Sequence, residues 1–366
     1  MNAKSRVIHF VTGGGSGATK VALDLACGHL RTGHYEPLLV LRRKKVPLPA
    51  PMQAQIAAAG LRTAWVDRWP HWRTLRQLAV LIADFKPQVF AAHGNSEHLW
   101  GRRAAFTAGV PVVLHVEMNC ERYPFWRRWA AQQLAAKTTV TVCVSHGVAD
   151  HVRALGLAGP RVEVIHNGAE AARYSAGAPP FAARSQDIVM VARFARQKDQ
   201  PTLIRAARRL VSAGWTGQLL LGGDGKVSHR RACEKLVARL KLGGRVEFLG
   251  RVSHAAALYH RCRAAVLSTH YEGLPLVLID YMAAGCAAIG SIAPGVNDII
   301  EPGVNGWLFP RGDDAALAQA LTQVLAGGPA VEAIVARGHA GAPVEFSVEK
   351  MLARYELLFS ELLGPR

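Results

Sequence analysis

Two acidic side chains, Glu272 and Asp280, stand eight positions apart in one apolar segment. Glu272 follows a predicted strand, and the turn Gly273-Leu274-Pro275-Leu276 leads from it into a helical pattern over 276–283. Eight positions are two i,i+4 steps, so Asp280 is predicted on the helix face nearest the turn. Carboxylates accept hydrogen bonds from hydroxyl groups, and the amides of a helix N-terminus attract phosphate. The segment therefore predicts a site for a polyhydroxylated, phosphorylated ligand.

A second cluster is cationic and follows the seventh predicted strand. Arg193, Arg196 and Lys198 lie within six residues of one another. At the carboxyl end of a strand, guanidinium and ammonium groups could hold a diphosphate through charge-assisted hydrogen bonds. An ordinary solvated loop explains the same three residues equally well.

A glycine-rich loop, Thr12-Gly13-Gly14-Gly15-Ser16-Gly17, joins the first predicted strand to a helix. Backbone amides at such a helix N-terminus can approach a phosphate closely. The loop lacks the Gly-Lys-Ser/Thr ending of a Walker motif, and no acid follows the second strand to complete a dinucleotide fingerprint. The alternative is that the glycines only make a tight strand-to-helix turn.

Short β-branched runs alternate with helical patterns along the chain, which is typical of parallel sheets with crossover helices. The first series of predicted strands is Val7–Val11, Pro37–Leu41, Val89–Ala92, Val112–Val116, Val140–Val144 and Val162–Ile165. The second is Ile188–Ala192, Gln218–Leu221, Val246–Leu249, Ala264–Ser268, Ala287–Gly290 and Gly306–Phe309. The pattern predicts an α/β protein with two similar domains.

The predicted domain bounds follow from a break in this pattern. Residues 173–181 contain Pro and Gly without an apolar period, so they are predicted to link a domain over 1–172 to one over 182–345. The remaining residues, 346–366, place Val348, Met351, Leu352, Tyr355, Leu358 and Phe359 at helical spacing. This last segment is predicted to be an amphipathic helix that docks on a domain.

The composition limits the compartment and the partners. The formal net charge is +18; residues 1–180 hold 22 Lys and Arg against 10 Asp and Glu, and residues 181–366 hold 22 against 16. Such a balance predicts attraction to anionic partners, although a solvated surface explains part of it. Six dispersed cysteines, together with the absence of a leader or an apolar span of helical length, predict a cytoplasmic protein with free thiols. No recognition-helix, finger or strand-borne stacking pattern indicates nucleic-acid binding.

Taken together, these segments resemble the retaining glycosyltransferases of family 4, the group 1 type. The acid pair corresponds to the family's E-x7-E region, and further matching pieces occur in the family's order over nearly the whole chain: the 13–17 loop, Cys143-Val-Ser145, Val164-Ile-His-Asn167-Gly168, Arg193 with Lys198, Gly222-Gly-Asp-Gly225, Phe248-Leu-Gly250 and Gly303-Val-Asn-Gly306. The resemblance implies a GT-B fold. Two Rossmann-like domains would then face each other across a cleft, with the C-terminal helix packing back on the first domain.

The resemblance also implies a role for individual residues. Catalytic roles are implied for His115, Arg193, Lys198 and Glu272. Donor-binding roles are implied for Gly15, Ser16, Gly17, Gly223, Gly250, Gly273, Leu274, Pro275, Leu276 and Asp280. Arg193 and Lys198 would bind the donor diphosphate, and Glu272 would bind donor-sugar hydroxyls. His115, at the end of a strand over 111–115, would contact the donor sugar near its anomeric carbon.

One position departs from the family pattern. Asp280 stands where the family has Glu, so its carboxylate is one methylene shorter at the expected ribose contact. We expect no metal and no cofactor, because the cations and backbone amides can stabilise the leaving diphosphate themselves. Asp313-Asp314 is predicted to cap a helix instead of binding a metal.

The expected co-substrates are a nucleoside-diphosphate sugar, with uridine diphosphate the default base, and a glycan or lipid-linked acceptor. The aromatic and basic segment Tyr123–Trp129 is predicted to lie on the inner, anionic surface of the cell membrane. The alternative is a helix with its Trp side chains in the core and its Arg side chains solvated. A homologue that binds without catalysing transfer is the alternative function, and a basic nucleic-acid-binding protein is a more remote one.

Overall fold

The computed structural model describes residues 4–94, 97–120 and 122–364, and the chain forms two compact units. Unit 1 is Met1–Gly168 with Val348–Arg366, and unit 2 is Ala169–Ser347. The segment 173–181, predicted as a linker, begins within the helical turn Ala172–Ser175 of unit 2. Tyr174 in this turn is buried against Tyr259, with ring centroids 5.5 Å apart.

Unit 1 contains a seven-stranded parallel sheet in the order β3-β2-β1-β4-β5-β6-β7. Its strands are β1 Ser5–Thr12, β2 Tyr35–Arg42, β3 Thr63–Val66, β4 Val89–His93, β5 Val112–Glu117, β6 Val140–Cys143 and β7 Val162–Val164. Its helices are α1 Gly17–Thr32, α2 Ala50–Ala59, α3 His71–Phe85, α4 Glu97–Thr107, α5 Phe125–Ala135, α6 His146–Ala154 and α14 Val348–Leu363.

Unit 2 contains a six-stranded parallel sheet in the order β10-β9-β8-β11-β12-β13. Its strands are β8 Ser185–Val191, β9 Leu219–Gly222, β10 Val246–Gly250, β11 Cys262–Leu267, β12 Ala287–Ser291 and β13 Trp307–Phe309. Its helices are α7 Ala172–Ser175, α8 Gln200–Ser212, α9 Val227–Arg239, α10 Ala255–Arg261, α11 Leu276–Ala283, α12 Asp314–Ala326 and α13 Pro329–Glu345.

The prediction of two Rossmann-like parallel-sheet domains is confirmed. Each of the twelve predicted strands overlaps an observed strand. β3 has no counterpart among them, because it is a four-residue edge strand in which only Val66 is fully buried. A short edge strand with one buried face carries too little apolar alternation to stand out in a sequence.

The C-terminal helix α14 packs on unit 1, as predicted. Met351, Leu352, Tyr355, Leu358 and Phe359 are buried among side chains of α1 and the sheet. Gly28 permits the close approach of α1, since a Cβ atom there would lie 2.6 Å from a Leu352 methyl group. Full burial of each such side chain is worth about 1.5–3 kcal/mol, so this apolar face is sufficient to hold the helix.

Two surface features bear on membrane contact. Within the described residues, no helix has the length and apolar character needed to cross a membrane. α5 leaves Phe125, Trp126 and Trp129 exposed, so the alternative that places its Trp side chains in the core is wrong.

Candidate active site

The strand order of unit 2 marks a place for a ligand. β8 is central, and the order reverses between β8 and its neighbour β11. Open parallel sheets bind ligands beyond the carboxyl ends of their strands at such a switch point. The segment after β8 carries Arg193 and Lys198, and the segment after β11 carries Glu272.

The Glu272 carboxylate lies among donors from both segments. Lys198 Nζ is 2.5 Å from Glu272 Oε1, and Thr269 Oγ1 donates to the same oxygen at 2.7 Å. Gln197 Nε2 donates to Oε2 at 3.4 Å. The Glu272 residue is 7% exposed, so its charge is largely removed from water and is compensated by Lys198. The structure thus joins two of the predicted residues and adds Thr269 and Gln197, which we did not predict.

Glycines bring the loop after β9 against the Arg193 segment. Gly223 has φ +126°, and a Cβ atom there would lie 2.3 Å from Ala192 O and 3.4 Å from Arg193 N. Gly223 N donates to Gly250 O at 2.6 Å, and Gly250 has φ +64°. The predicted residues Arg193, Gly223 and Gly250 are therefore neighbours, and the Arg193 side chain is left exposed to solvent.

The N-terminus of α11 is the third part of this site. Its N-cap is Pro275, which offers no side-chain hydrogen bond to the first turn, and no acid lies in that turn. The first amides of a helix attract anions when no side chain caps them. The turn Gly273–Pro275 is held in place because Glu272 N donates to Pro294 O at 3.1 Å. The predicted helix over 276–283 is confirmed.

Asp280 lies in a different environment from Glu272. Its charged and polar neighbours include Arg173 and Tyr174 of α7 and the phenols of Tyr259 and Tyr281. Burial raises the pKa of the Asp280 carboxyl to about 7, and the nearby Arg173 guanidinium opposes this rise only in part. The Asp280 carboxyl therefore titrates near neutral pH instead of near pH 4.

In unit 1, the glycine-rich loop packs tightly on its neighbours. A Cβ atom on Gly13 would lie 2.8 Å from Arg42 O, and one on Gly15 would lie 2.5 Å from the Pro49 ring. Close packing thus accounts for glycine at these two positions. Gly15, Ser16 and Gly17 are exposed at the start of α1, where Ser16 Oγ accepts from Thr19 N.

The prediction that His115 ends its strand is wrong. β5 continues to Glu117, and the His115 ring is fully buried, stacked on His98 with ring centroids 4.2 Å apart. His115 Nε2 lies 3.4 Å from Glu117 Oε2. Glu117 therefore occupies the end of the strand, and His115 lies behind it.

Glu117 belongs to a buried hydrogen-bond chain that we did not predict. Arg102 Nη2 donates to His98 Nδ1 at 2.8 Å, which leaves the proton of His98 on Nε2. His98 Nε2 lies 3.0 Å from Tyr123 Oη, and Tyr123 Oη donates to Glu117 Oε2 at 2.5 Å. Spacing offered one signal, because His115 and Glu117 lie two positions apart on the same face of a strand.

The charges of this chain are set by burial and pairing. Burial alone would raise the pKa of Glu117, but His115, the Tyr123 hydroxyl and Met118 N hold it below its usual value. Burial lowers the pKa of Arg102 to about 10, so the guanidinium stays charged at neutral pH. Burial also lowers the pKa of His115. An ionised carboxylate and a cation are thus enclosed together in unit 1.

Two family models match consecutive parts of the chain. The model described as Glycosyltransferase Family 4 matches residues 15–173, and the one described as Glycosyl transferases group 1 matches residues 185–327. Between them they cover most of the sequence and both units. The chain belongs to the family 4, group 1 glycosyltransferases.

Curated relatives of this glycosyltransferase are similar over part of their length. It is 30% identical to an exopolysaccharide phosphotransferase of Streptomyces coelicolor over 58% of this chain and 22% of that protein. It is 29% identical to the putative glycosyltransferase EpsD of Bacillus subtilis over 68% of this chain and 70% of that protein. The lipopolysaccharide core biosynthesis glycosyltransferase LpsE of Rhizobium meliloti is 28% identical over 61% and 65%. Among the first relatives, the aligned part thus spans from less than a quarter to about two thirds of the other protein.

Solved structures share the fold over the whole length. HepE of Anabaena in complex with UDP has a TM-score of 0.84 at 17% identity and covers 98% of this chain and 100% of that chain. Its complex with UDP-glucose has a TM-score of 0.82 at 18% identity over 97% and 99%. The glycosyltransferase therefore has the GT-B fold.

The side chains of His98, His115 and Glu117 in unit 1 could in principle hold a metal ion, but their chemistry disfavours it. One ligand atom each from His98, His115 and Glu117 lies within 4.8 Å of the others. Both nitrogens of His98 are already engaged with Arg102 and Tyr123, and a buried cation next to the cluster opposes a second one. The residues fit a hydrogen-bond chain better than a metal centre.

Asp313 caps α12, as predicted, and Asp314 forms ion pairs that were not predicted. Asp313 accepts from Ala315 N and Ala316 N at the start of α12. Asp314 pairs with Arg205 at 3.2 Å and with Arg209 at 2.6 Å.

Proposed function

We propose that the chain transfers a sugar from a nucleoside-diphosphate sugar, by default a uridine diphosphate sugar, to a hydroxyl group of a glycan acceptor. The observation that carries this proposal is the meeting of Lys198 and Glu272 at the switch point of unit 2. A carboxylate for sugar hydroxyls, a cation for phosphate and an uncapped helix N-terminus lie on two neighbouring segments there. The UDP and UDP-glucose complexes of HepE support this choice of donor.

The mechanism follows from the charge that develops. Cleavage of the anomeric carbon–phosphate bond places negative charge on the leaving diphosphate. Lys198, the exposed Arg193 and the first amides of α11 can stabilise this charge without a metal ion. No side chain of unit 2 is assigned as a nucleophile; we propose front-face attack, in which the leaving phosphate takes the acceptor's proton and the anomeric configuration is retained.

Glu272 and Asp280 take different parts in this proposal. Glu272 is held in one orientation by Lys198 and Thr269, so it is prepared to accept hydroxyl groups of the donor sugar. Asp280 accepts the ribose hydroxyls when it is ionised. His115 acts through Glu117 as a positioning residue, because its own ring is fully buried.

The acceptor is proposed to belong to exopolysaccharide or lipopolysaccharide assembly, free or lipid-linked. The names of the Streptomyces and Rhizobium relatives support this class of acceptor. Attachment to an anionic membrane surface would bring the enzyme to a lipid-linked acceptor. Phe125, Trp126 and Trp129 are exposed on α5, and Arg127 Cζ lies 5.0 Å from the Trp126 ring centroid. Aromatic and cationic side chains on one short helix suit the headgroup layer of the inner leaflet.

Nucleotide-sugar binding and turnover test the proposed reaction. A thermal-shift screen of UDP-, GDP- and ADP-sugars should give one series that raises the Tm, because a donor stabilises the folded state by mass action. Donor hydrolysis and transfer by wild type and by Glu272→Ala separate an enzyme from a homologue that only binds. Equal rates in the two proteins, at the level of buffer, would establish the binding-only alternative.

Flotation with vesicles tests membrane attachment. Wild type should float with phosphatidylglycerol vesicles at low salt, and Trp126→Ser with Trp129→Ser should stay in the bottom fraction. Neutral phosphatidylcholine vesicles are the control. Recovery of wild type at the bottom with both vesicle types would remove the membrane proposal and leave the transfer reaction untouched.

A further inference from the structure

Unit 1 contains a groove whose residues have no assigned part in the reaction proposed above. Its volume is about 430 Å³, and it lies between the glycine-rich loop, the segment that follows β2, and β3. We call it the Trp65 groove; the residues that matter here are Gly13, Arg43, Lys44, Lys45 and Trp65, all of which line it. A concave surface of this size accommodates a small saccharide.

One wall of the groove is an aromatic face fixed by the glycine loop. A Cβ atom on Gly13 would lie 2.6 Å from the Trp65 ring, so only glycine lets the ring rest against the loop. Trp65 remains 40% exposed at this place. The Arg43 guanidinium lies over the Trp65 ring, with Cζ 5.7 Å from the ring centroid. The indole thus contacts the loop and the Arg43 guanidinium while two fifths of Trp65 stay exposed, which leaves aromatic surface for a sugar ring.

The rim of the groove carries uncompensated positive charge. Arg43 Nε lies 3.6 Å from Asp67 Oδ1, so one of the three cations is partly neutralised. Lys44 and Lys45 are exposed and form no hydrogen bond or ion pair with any residue that the structure describes. Two free ammonium groups beside an aromatic face attract an anion that is attached to an apolar or sugar ring.

We infer that the Trp65 groove binds an anionic saccharide, with a sugar ring against Trp65 and a phosphate or carboxylate group on Lys44 and Lys45. This inference rests on the proposed function and deepens it, because it gives the acceptor a chemical class. Negative charge beside a sugar ring can come from a lipid diphosphate or from uronic acids in the glycan. The shared chemistry is what the groove recognises, and the two sources are separate arms of the test.

Isothermal titration calorimetry with three probes tests the groove. The probes are N-acetylglucosamine linked to farnesyl diphosphate, a tetrasaccharide with alternating glucuronic acid, and neutral chitotetraose. Wild type should bind one of the charged probes about tenfold or more tightly than chitotetraose, since hydrogen bonds between ionised groups are stronger than neutral ones. The charged probe that binds identifies the source of the negative charge.

Variants separate the groove from the general basic surface. Lys44→Gln with Lys45→Gln should weaken the charged probe about tenfold and leave chitotetraose unchanged. Trp65→Ala should weaken charged and neutral probes alike, and Trp65→Phe should recover much of the loss. Arg103→Gln with Lys137→Gln removes the same charge from exposed sites outside the groove and should change nothing.

The outcomes that overturn the inference are distinct from failure of the reaction. Failure of wild type to bind either charged probe, or equal losses in the Lys44/Lys45 pair and the Arg103/Lys137 pair, would remove the groove as a specific site. Binding that depends on Lys44 and Lys45, together with no Tm shift by any nucleotide sugar, would keep the groove and remove the proposed reaction. Unchanged Tm values of the variants exclude unfolding as the cause.

Discussion

Unit 1 and unit 2 each enclose a carboxylate near the end of a parallel strand, but the two are held differently. Glu272 meets its cation directly, since Lys198 Nζ is 2.5 Å away. Glu117 is joined to Arg102 only through Tyr123 and His98. In a direct ion pair, one partner can be exchanged for a ligand. An enclosed hydrogen-bond chain can release its carboxylate only if several bonds break. The comparison therefore favours a catalytic role for Glu272 and a structural role for Glu117.

The largest expected effect comes from breaking the enclosed chain. Arg102→Met should lower the free energy of unfolding by about 3–5 kcal/mol, because it leaves the buried Glu117 carboxylate without its cation. Chemical denaturation followed by far-UV circular dichroism measures the change. Arg103→Met is the matched control. Arg103 is the next residue of α4 and is exposed, so its replacement should change the free energy of unfolding by no more than about 0.5 kcal/mol. Equal free energies of unfolding for the two variants would show that the hydrogen-bond chain from Arg102 to Glu117 does not stabilise unit 1.

The next effect should appear mainly in turnover. Glu272→Gln keeps the shape of the side chain but removes the charge that orients it on Lys198. If Glu272 holds the donor sugar, kcat for transfer should fall about 10²–10³-fold, the loss typical of removing one preorganised polar group. The Tm should fall less than that of Arg102→Met, since the amide oxygen of the new Gln can still accept a hydrogen bond from Lys198. Glu247→Gln, an exposed acid of the same unit, is the control; a similar rate in both variants would move the chemistry away from Glu272.

This contrast explains what the sequence could predict. The Glu272 segment is contiguous, and a strand, a turn and a helix follow one another in the 22 residues 262–283, so local patterns sufficed to predict α11 and the acid before it. The meeting with Lys198 depends on β8 and β11 being adjacent, which parallel-sheet topology makes predictable. Thr269 and Gln197 were missed because a hydroxyl or an amide in a loop carries no sequence signal of its own.

The network of unit 1 was hidden for a different reason. Arg102 and Arg103 are consecutive residues of a helix, and their identical residue type gives no indication of which guanidinium is buried. Tyr123 approaches Glu117 from the segment before α5, whose course a sequence does not specify. His115 was placed at the strand end because the strand predicted over 111–115 stops two residues before the observed end of β5, and strand ends are the least certain feature of a sequence-based prediction.

The environment of Asp280 is intermediate between those of Glu272 and Glu117, and its substitution should give the smallest effect of the three. It is largely buried, like Glu117, but its cation Arg173 does not prevent burial from raising its pKa to about 7. The folded carboxyl is therefore mostly protonated below pH 7 and mostly ionised above it. If the ionised form accepts the ribose hydroxyls, the donor KM should fall as the pH rises through about 7.

Initial rates with a donor identified by thermal shift, measured from pH 5.5 to 8.5, check this titration. Between the ends of this range the wild-type KM should change about tenfold, because one charge-assisted contact is gained. Asp280→Asn should give a high KM without this pH dependence, since an amide does not titrate there. Asp84→Asn, an exposed acid of unit 1, should retain the wild-type profile. A wild-type KM that does not change with pH would show that Asp280 does not bind the donor. Glu272 would then be the only one of the two acids proposed to bind it.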